Sequence, residues 1–165
     1  LVAYDDASII DALYLDDEGV RGPFPRTELR RYVIDLEGGG VSWEKLGDNV
    51  ELPRIDYGGH NTRPYRYAYF AGMGDEWIDH LAKIDLGDGS RAEWRAPGCY
   101  PGEPVFVREP GASDEDAGVV LSVVLDAAAG KSSLLVLDAR SFEELARAEA
   151  PHHIPFGFHG QFLRG

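Results

Sequence analysis

Short apolar runs separated by clusters of Gly, Asp and Asn recur along the whole chain. SIIDALYL (8–15), RRYVIDL (30–36), YRYAYF (65–70), GVVLSVVLD (118–126) and SSLLVLD (132–138) are rich in β-branched and aromatic residues and predict strands. Turn-forming clusters at 37–40, 58–61 and 87–89 punctuate them. Residues 119–138 predict a hairpin that turns at AAAGKS. WIDHLAKIDL (77–86) and SFEELARAEA (141–150) have helical composition. An internal repeat assigns both mainly to strand with a short loop, the second with room for part of a helix.

That repeat places an aspartate between two apolar residues, at Asp35, Asp85 and Asp138. A period of about 50 residues built from short strands is the signature of propeller blades, each a four-stranded antiparallel sheet. Asp suits the repeated position because its carboxylate accepts backbone N–H groups two residues on and stabilises a turn. The predicted fold is therefore all-β, the C-terminal part of a propeller amounting to about three blades. Residues 1–50 form a partial blade without its inner strand, 51–98 and 103–150 two blades, and 151–165 an inner closing strand. The inner strand of a blade lines the central channel, so Glu51, Glu103 and His159 are expected to approach one axis.

Composition narrows the class. With 165 residues and 44% hydrophobic content the chain can bury a real core. Its formal net charge of −13 repels phosphate backbones, which argues against a nucleic-acid partner. Cys99 is the one cysteine and cannot form an internal disulfide, which fits a cytoplasmic location. No apolar run approaches the roughly 20 residues of a membrane-spanning helix. The opening LVAYDDAS has neither an initiator Met nor a signal pattern, and reads as the interior of a longer sequence.

Candidate chemistry concentrates at the end, in PHHIPFGFHGQF (151–162). His159, between Phe158 and Gly160, is the leading metal-ligand candidate, although spacing alone favours a packed strand histidine bonded to a carbonyl. Glu51 in ELPRI and Glu103 in EPVFV begin inner strands and could accept the second N–H of ligating imidazoles. The alternatives are polar residues at strand edges or, ranked lower, a glycosidase carboxylate pair. His60 sits in a loop composition and is expected to be exposed, and His80 is expected to point off a strand surface. His152 and His153 are adjacent and would face opposite sides of an extended segment. The chain contains no HExxH, CxxC or GxSxG motif and no phosphate-binding glycine loop. Cys99 has no base near it in sequence.

Several of these segments together resemble the C-terminal third of the carotenoid cleavage oxygenases, the family that includes apocarotenoid and lignostilbene oxygenases and the retinoid isomerase. They are VELPRIDY (50–57), RPYRYAYF (63–70), YPGEPVFVREPGASDEDAGVVLSVVLDA (100–127), LLVLDA (134–139) and PHHIPFGFHGQF. The resemblance implies a seven-bladed propeller holding a non-haem Fe(2+) on its axis with four histidines, three of them supported by glutamates. It makes His159 the fourth ligand, and Glu51 and Glu103 two of the supports, orienting histidines outside this chain. Phe156 and Phe158 would flank the site as pocket lining. The implied reaction is cleavage of a C=C bond in a carotenoid, apocarotenoid or stilbene by O2, with the rest of the propeller as partner. The third ligand is expected just upstream of Leu1, so the chain alone is expected to be inactive. A non-catalytic propeller binding module and a polyene isomerase of the same family are the competing readings.

Overall fold

The computed structural model describes residues 1–14, 24–75 and 77–163. Three antiparallel sheets follow one another along it. The first has the order β1-β2-β3, from β1 (Val2–Ala3), β2 (Glu28–Ile34) and β3 (Val41–Asp48). The second runs β4-β5-β6-β7, from β4 (Val50–Arg54), β5 (Tyr67–Met73), β6 (Ile78–Asp85) and β7 (Arg91–Trp94). In the third, β10 (Gly118–Asp126), β11 (Lys131–Asp138) and β12 (Glu144–Glu149) pair in order. The free edge of β10 takes both β8 (Cys99–Pro101) and β9 (Val105–Arg108). The all-β class and the propeller-like succession of meanders agree with the repeat. The two segments of helical composition are strands β6 and β12, and the 119–138 hairpin is β10–β11, paired from Val119↔Asp138 to Asp126↔Lys131.

The middle sheet is buried on both faces. Tyr69, Leu81 and Trp94 share a core with Val120, Val124, Leu135 and Leu137 of the third sheet. The residues between them, Phe70, Ala82 and Ile84, pack instead with Leu29 and Val50 on the side of the first sheet. A two-sided strand has no polar face to alternate with, which is why β5 reads as an almost continuous apolar run. Each fully buried large side chain contributes about 1.5–3 kcal/mol relative to exposure. Lys83 is buried against this core: its ammonium sits 2.7 Å from Asp116, donates to the Arg140 carbonyl at 3.1 Å and lies 4.3 Å from the centre of the Tyr67 ring.

The repeated aspartates close the same turn three times. The Asp35 carboxylate accepts Glu37 and Gly38 N–H, Asp85 accepts Gly87 N–H, and Asp138 accepts Arg140 and Ser141 N–H. In each turn the aspartate carbonyl also accepts the N–H four residues on, from Gly39, Gly89 and Phe142. Those three residues have φ of 72°, 77° and 63°. Glycine takes this left-handed conformation without penalty, whereas Phe142 incurs about 1–2 kcal/mol. Burial to 3% exposure, stacked 6.2 Å from Tyr69, offsets the strain. The backbone N–H donors also hold the Asp35 and Asp138 carboxyls below the usual carboxylate range.

Three expectations are corrected. The run 8–15 was expected as a strand, yet Ser8–Ala12 forms helix α1, and Leu15 lies outside the described residues. Asp6 accepts the Ser8 N–H at 2.8 Å and turns the chain there, and the isoleucines find no strand to pair with, so local turn chemistry overrides their β propensity. His80 does not point off a surface but is buried at 3% exposure. It stands opposite Gly72, where a Cβ would come within 2.1 Å of the imidazole. Residues 151–165 were expected as an inner closing strand; their described part, 151–163, forms no ladder with the other described residues and is held by isolated contacts.

Candidate metal centre

The terminal segment crosses the third sheet and then turns toward the end of β4 and the start of β9. The Ser132 N–H donates to the His152 carbonyl at 3.1 Å, and Ile154 N–H to the Ser132 hydroxyl at 2.9 Å. Phe156 lies against Trp77, ring centroids 5.5 Å apart, and Phe158 meets the His159 ring edge-on at 4.5 Å. His159 borders two grooves. One, of about 300 Å³, is lined by Val105, Leu121, Val123, Leu134, Phe156 and Phe158. The other, of about 870 Å³, is lined by Arg54, Asp56, Tyr57, Arg108 and Phe162.

Glu103 is presented by a break in the innermost strand. Pro101 pairs with Val124 and Val105 with Leu121, so three residues, 102–104, stand against two, 122–123. The extra residue kinks the edge as a β-bulge does. Gly102 N–H donates to the Val123 carbonyl at 2.8 Å and the Ser122 hydroxyl to the Gly102 carbonyl at 3.0 Å, which anchors the kink. The Glu103 side chain is 6% exposed and reaches the terminal segment. Oε1 lies 3.0 Å from His159 Nδ1, and Oε2 accepts the Gly160 N–H at 2.7 Å. The expectation that Glu103 orients a histidine outside this chain is thus corrected, because its partner is His159 itself. Contacts 56 residues apart in sequence are set by sheet stacking, which spacing alone does not resolve.

Glu51 has a different neighbour. Its Oε1 accepts the Tyr4 hydroxyl and its Oε2 the Leu52 N–H at 3.2 Å. Burial, together with this carboxylate, raises the Tyr4 phenol above its ordinary value. Sequence reasoning missed Tyr4, and it also missed Arg54. Arg54 Nη2 donates to Glu103 Oε2 at 3.2 Å and to the Gly160 carbonyl, and its Nε lies 3.2 Å from Glu103 Oε1. The motif ELPRI contained the signal, a cation three residues after the candidate carboxylate.

The remaining candidates lie apart from this pair or carry structural partners. His60 is on the short helix α2 (Tyr57–His60), half-buried rather than exposed, with Nδ1 3.0 Å from Asp56. Burial pushes the Asp56 carboxyl up, but hydrogen bonds from Arg108 and His60 outweigh it and hold the group below the usual range. His80 is enclosed by Asp79 at 2.6 Å, Arg91 at 2.8 Å and Arg95 at 3.0 Å. His152 and His153 are exposed, and Cys99 is buried.

The donor chemistry of the pair fits a metal. An ionised carboxylate only accepts, so Glu103 assigns the proton to Nδ1 and leaves the Nε2 lone pair of His159 as a ligand. The His159 side chain is 65% exposed, which leaves Nε2 open to an ion. Among the described residues no group of three His, Cys, Asp or Glu side chains could hold a metal. The site fits one ligand of a shared centre.

Known proteins resemble this chain in sequence and in fold. The family model described as retinal pigment epithelial membrane protein matches residues 1–164. The mitochondrial carotenoid-cleaving dioxygenase of Mustela putorius furo is 49% identical over 69% of this chain and 21% of its own length. The carotenoid isomerooxygenase of Galleria mellonella is 37% identical over 99% of this chain and 35% of its own. Among solved structures, a variant of Synechocystis apocarotenoid oxygenase superposes with TM-score 0.85 at 28% identity, over 96% of this chain and 34% of that one. A cobalt-substituted form of the same oxygenase gives 0.82 at 29% identity, over 86% and 31%. The chain spans about a third or less of the length of these relatives. It belongs to the retinal pigment epithelial membrane protein family, the carotenoid oxygenases.

Proposed function

We propose that this chain contributes His159 as one ligand, with Glu103 and Glu51 as supporting carboxylates, to a non-haem Fe(2+) centre of a carotenoid-cleaving oxygenase. The observation that carries the reading is the 3.0 Å contact of Glu103 with His159 Nδ1, which fixes the tautomer and aims Nε2 outward. The ferrous ion, when bound, would bind and activate O2, with the alkene as the net electron donor and both oxygen atoms ending in the two carbonyl products. Catalytic metal sites use three or more protein ligands, so the other donors come from the part of the propeller that this chain does not span. Without them the isolated chain is inactive. Glu51, held here by Tyr4, would take the second N–H of one of those imidazoles.

The substrate class is an apolar conjugated molecule, a carotenoid, an apocarotenoid or a stilbene. Phe158 beside the imidazole offers it an apolar wall, while Phe156, packed on Trp77, lines the groove further out. The net charge of −13 disfavours a nucleic-acid partner. Cys99 as a free buried thiol supports a reducing compartment such as the cytoplasm. Isomerisation coupled to cleavage is the second reading, favoured by the near-complete match to a relative named carotenoid isomerooxygenase. Product analysis with candidate polyenes and stilbenes under labelled O2 separates the two.

The test is Glu103→Gln in the full-length protein. A neutral amide both weakens the hold on Nδ1 and can reverse its polarity, and iron affinity is expected to fall about 10–100-fold. Iron content after chelator challenge measures it, and retention equal to the wild type would sink the assignment of Glu103.

A further inference from the structure

Arg54 occupies a place that regular strand geometry would deny it. On β4, Glu51 pairs with Ala71 and Arg54 with Tyr69, so Leu52 and Pro53 together oppose the single residue Phe70. Leu52 takes φ of 51°, the left-handed conformation that such an extra residue requires. In an unbroken strand, residues three apart face opposite sides. The bulge instead sets Arg54 opposite Tyr69, whose ring stacks 5.4 Å from Phe106 of β9. Arg54 therefore faces the third sheet, where Glu103 lies.

We propose that Arg54 is the positioning residue of the centre, the group through which the middle sheet holds Glu103 and His159 in register. The inference rests on the reading of His159 as a metal ligand. Glu103 stands between the arginine and the terminal segment, and Arg54 hydrogen-bonds its Oε2 but meets Oε1 only as a close ion pair. Oε1 lies between Arg54 Nε at 3.2 Å and His159 Nδ1 at 3.0 Å. Oε2 accepts from Arg54 Nη2 at 3.2 Å and from Gly160 N–H at 2.7 Å. Arg54 also donates to the Gly160 carbonyl, so both polar groups of that residue are held, one by the acid and one by the base. This clamp stands where the terminal segment has no ladder. A guanidinium presents several donors in one rigid plane, whereas an ammonium concentrates its charge at one point and cannot span these acceptors. The polar contacts of Arg54 run to Glu103 and to the Gly160 carbonyl rather than to the His159 ring, so it acts through those two groups.

The experiment uses the full-length protein with Arg54→Ala, Arg54→Lys, Glu103→Ala and the double variant Arg54→Ala/Glu103→Ala. Iron retention under chelator challenge and thermal midpoints are measured for each. Arg54→Ala is expected to release iron about tenfold faster than wild type. Arg54→Lys is expected to recover little of that loss. The double variant should lose less iron than the two single losses multiplied together, because both substitutions cut the Arg54–Glu103 contact. Wild-type retention in Arg54→Ala, or losses that multiply in the double variant, would overturn the proposal. If the wild type itself holds no iron, the metal reading fails. The clamp is then judged from crystal structures of the metal-free proteins, where Arg54→Ala should release His159 from Glu103 and an unmoved His159 would refute it.

Discussion

The middle sheet and the terminal segment solve the problem of holding a side chain in opposite ways. β4–β7 is covered on both faces, and its residues are fixed by the cumulative burial of Phe70, Tyr69, Leu81 and their neighbours. Residues 151–163 have little cover, and a few directed contacts at Ser132, Trp77, Glu103 and Arg54 set their path. A two-sided strand could hold an imidazole more rigidly, but it would enclose it, as it encloses His80. The terminal segment leaves Nε2 of His159 accessible, and its position then depends on a handful of polar groups.

The same deletion in the two regions should expose the contrast. Phe70→Ala, in a fully buried position, is expected to cost about 3–5 kcal/mol in urea unfolding of the full-length protein. Gly72→Ala should cost about 1–3 kcal/mol, because its methyl would collide with the His80 ring. Adding His80→Ala should restore part of that loss. A cost unchanged by the second substitution would show that the crowding lies elsewhere. Phe158→Ala, at 71% exposure in this chain, should change the stability of the isolated chain by less than about 0.5 kcal/mol, and a larger loss would mean that the terminal segment belongs to its core.

The division between the regions also marks what could be read from the chain in advance. Strands β6 and β12 were legible despite their helical composition because the fifty-residue repeat outweighed local propensity. The turns at Asp35, Asp85 and Asp138 were legible because their chemistry is local. Glu103 and His159 were legible as candidates, but not as partners, since their meeting depends on how two sheets stack. Arg54 was missed because the bulge at Leu52 reverses the face that counting by twos assigns to it. The burial of His80 depends on the empty place opposite, at Gly72, and a one-strand reading contains no cross-strand neighbour. Helix α1 was missed because Ile9 and Ile10 suit a strand equally well once a partner strand exists.

The turn closed by Asp35, Asp85 and Asp138 carries one last consequence. In the first two a glycine fills the left-handed slot and places no side chain there. The third places one. With Phe142 in the glycine slot, the loop that joins β11 to β12 is also a plug seated between two sheets. Grafting the 85–90 loop into its place should close the hairpin equally well and leave a phenyl-sized hole beside Tyr69. The last of the three hairpins can therefore be remodelled only together with the sheet before it.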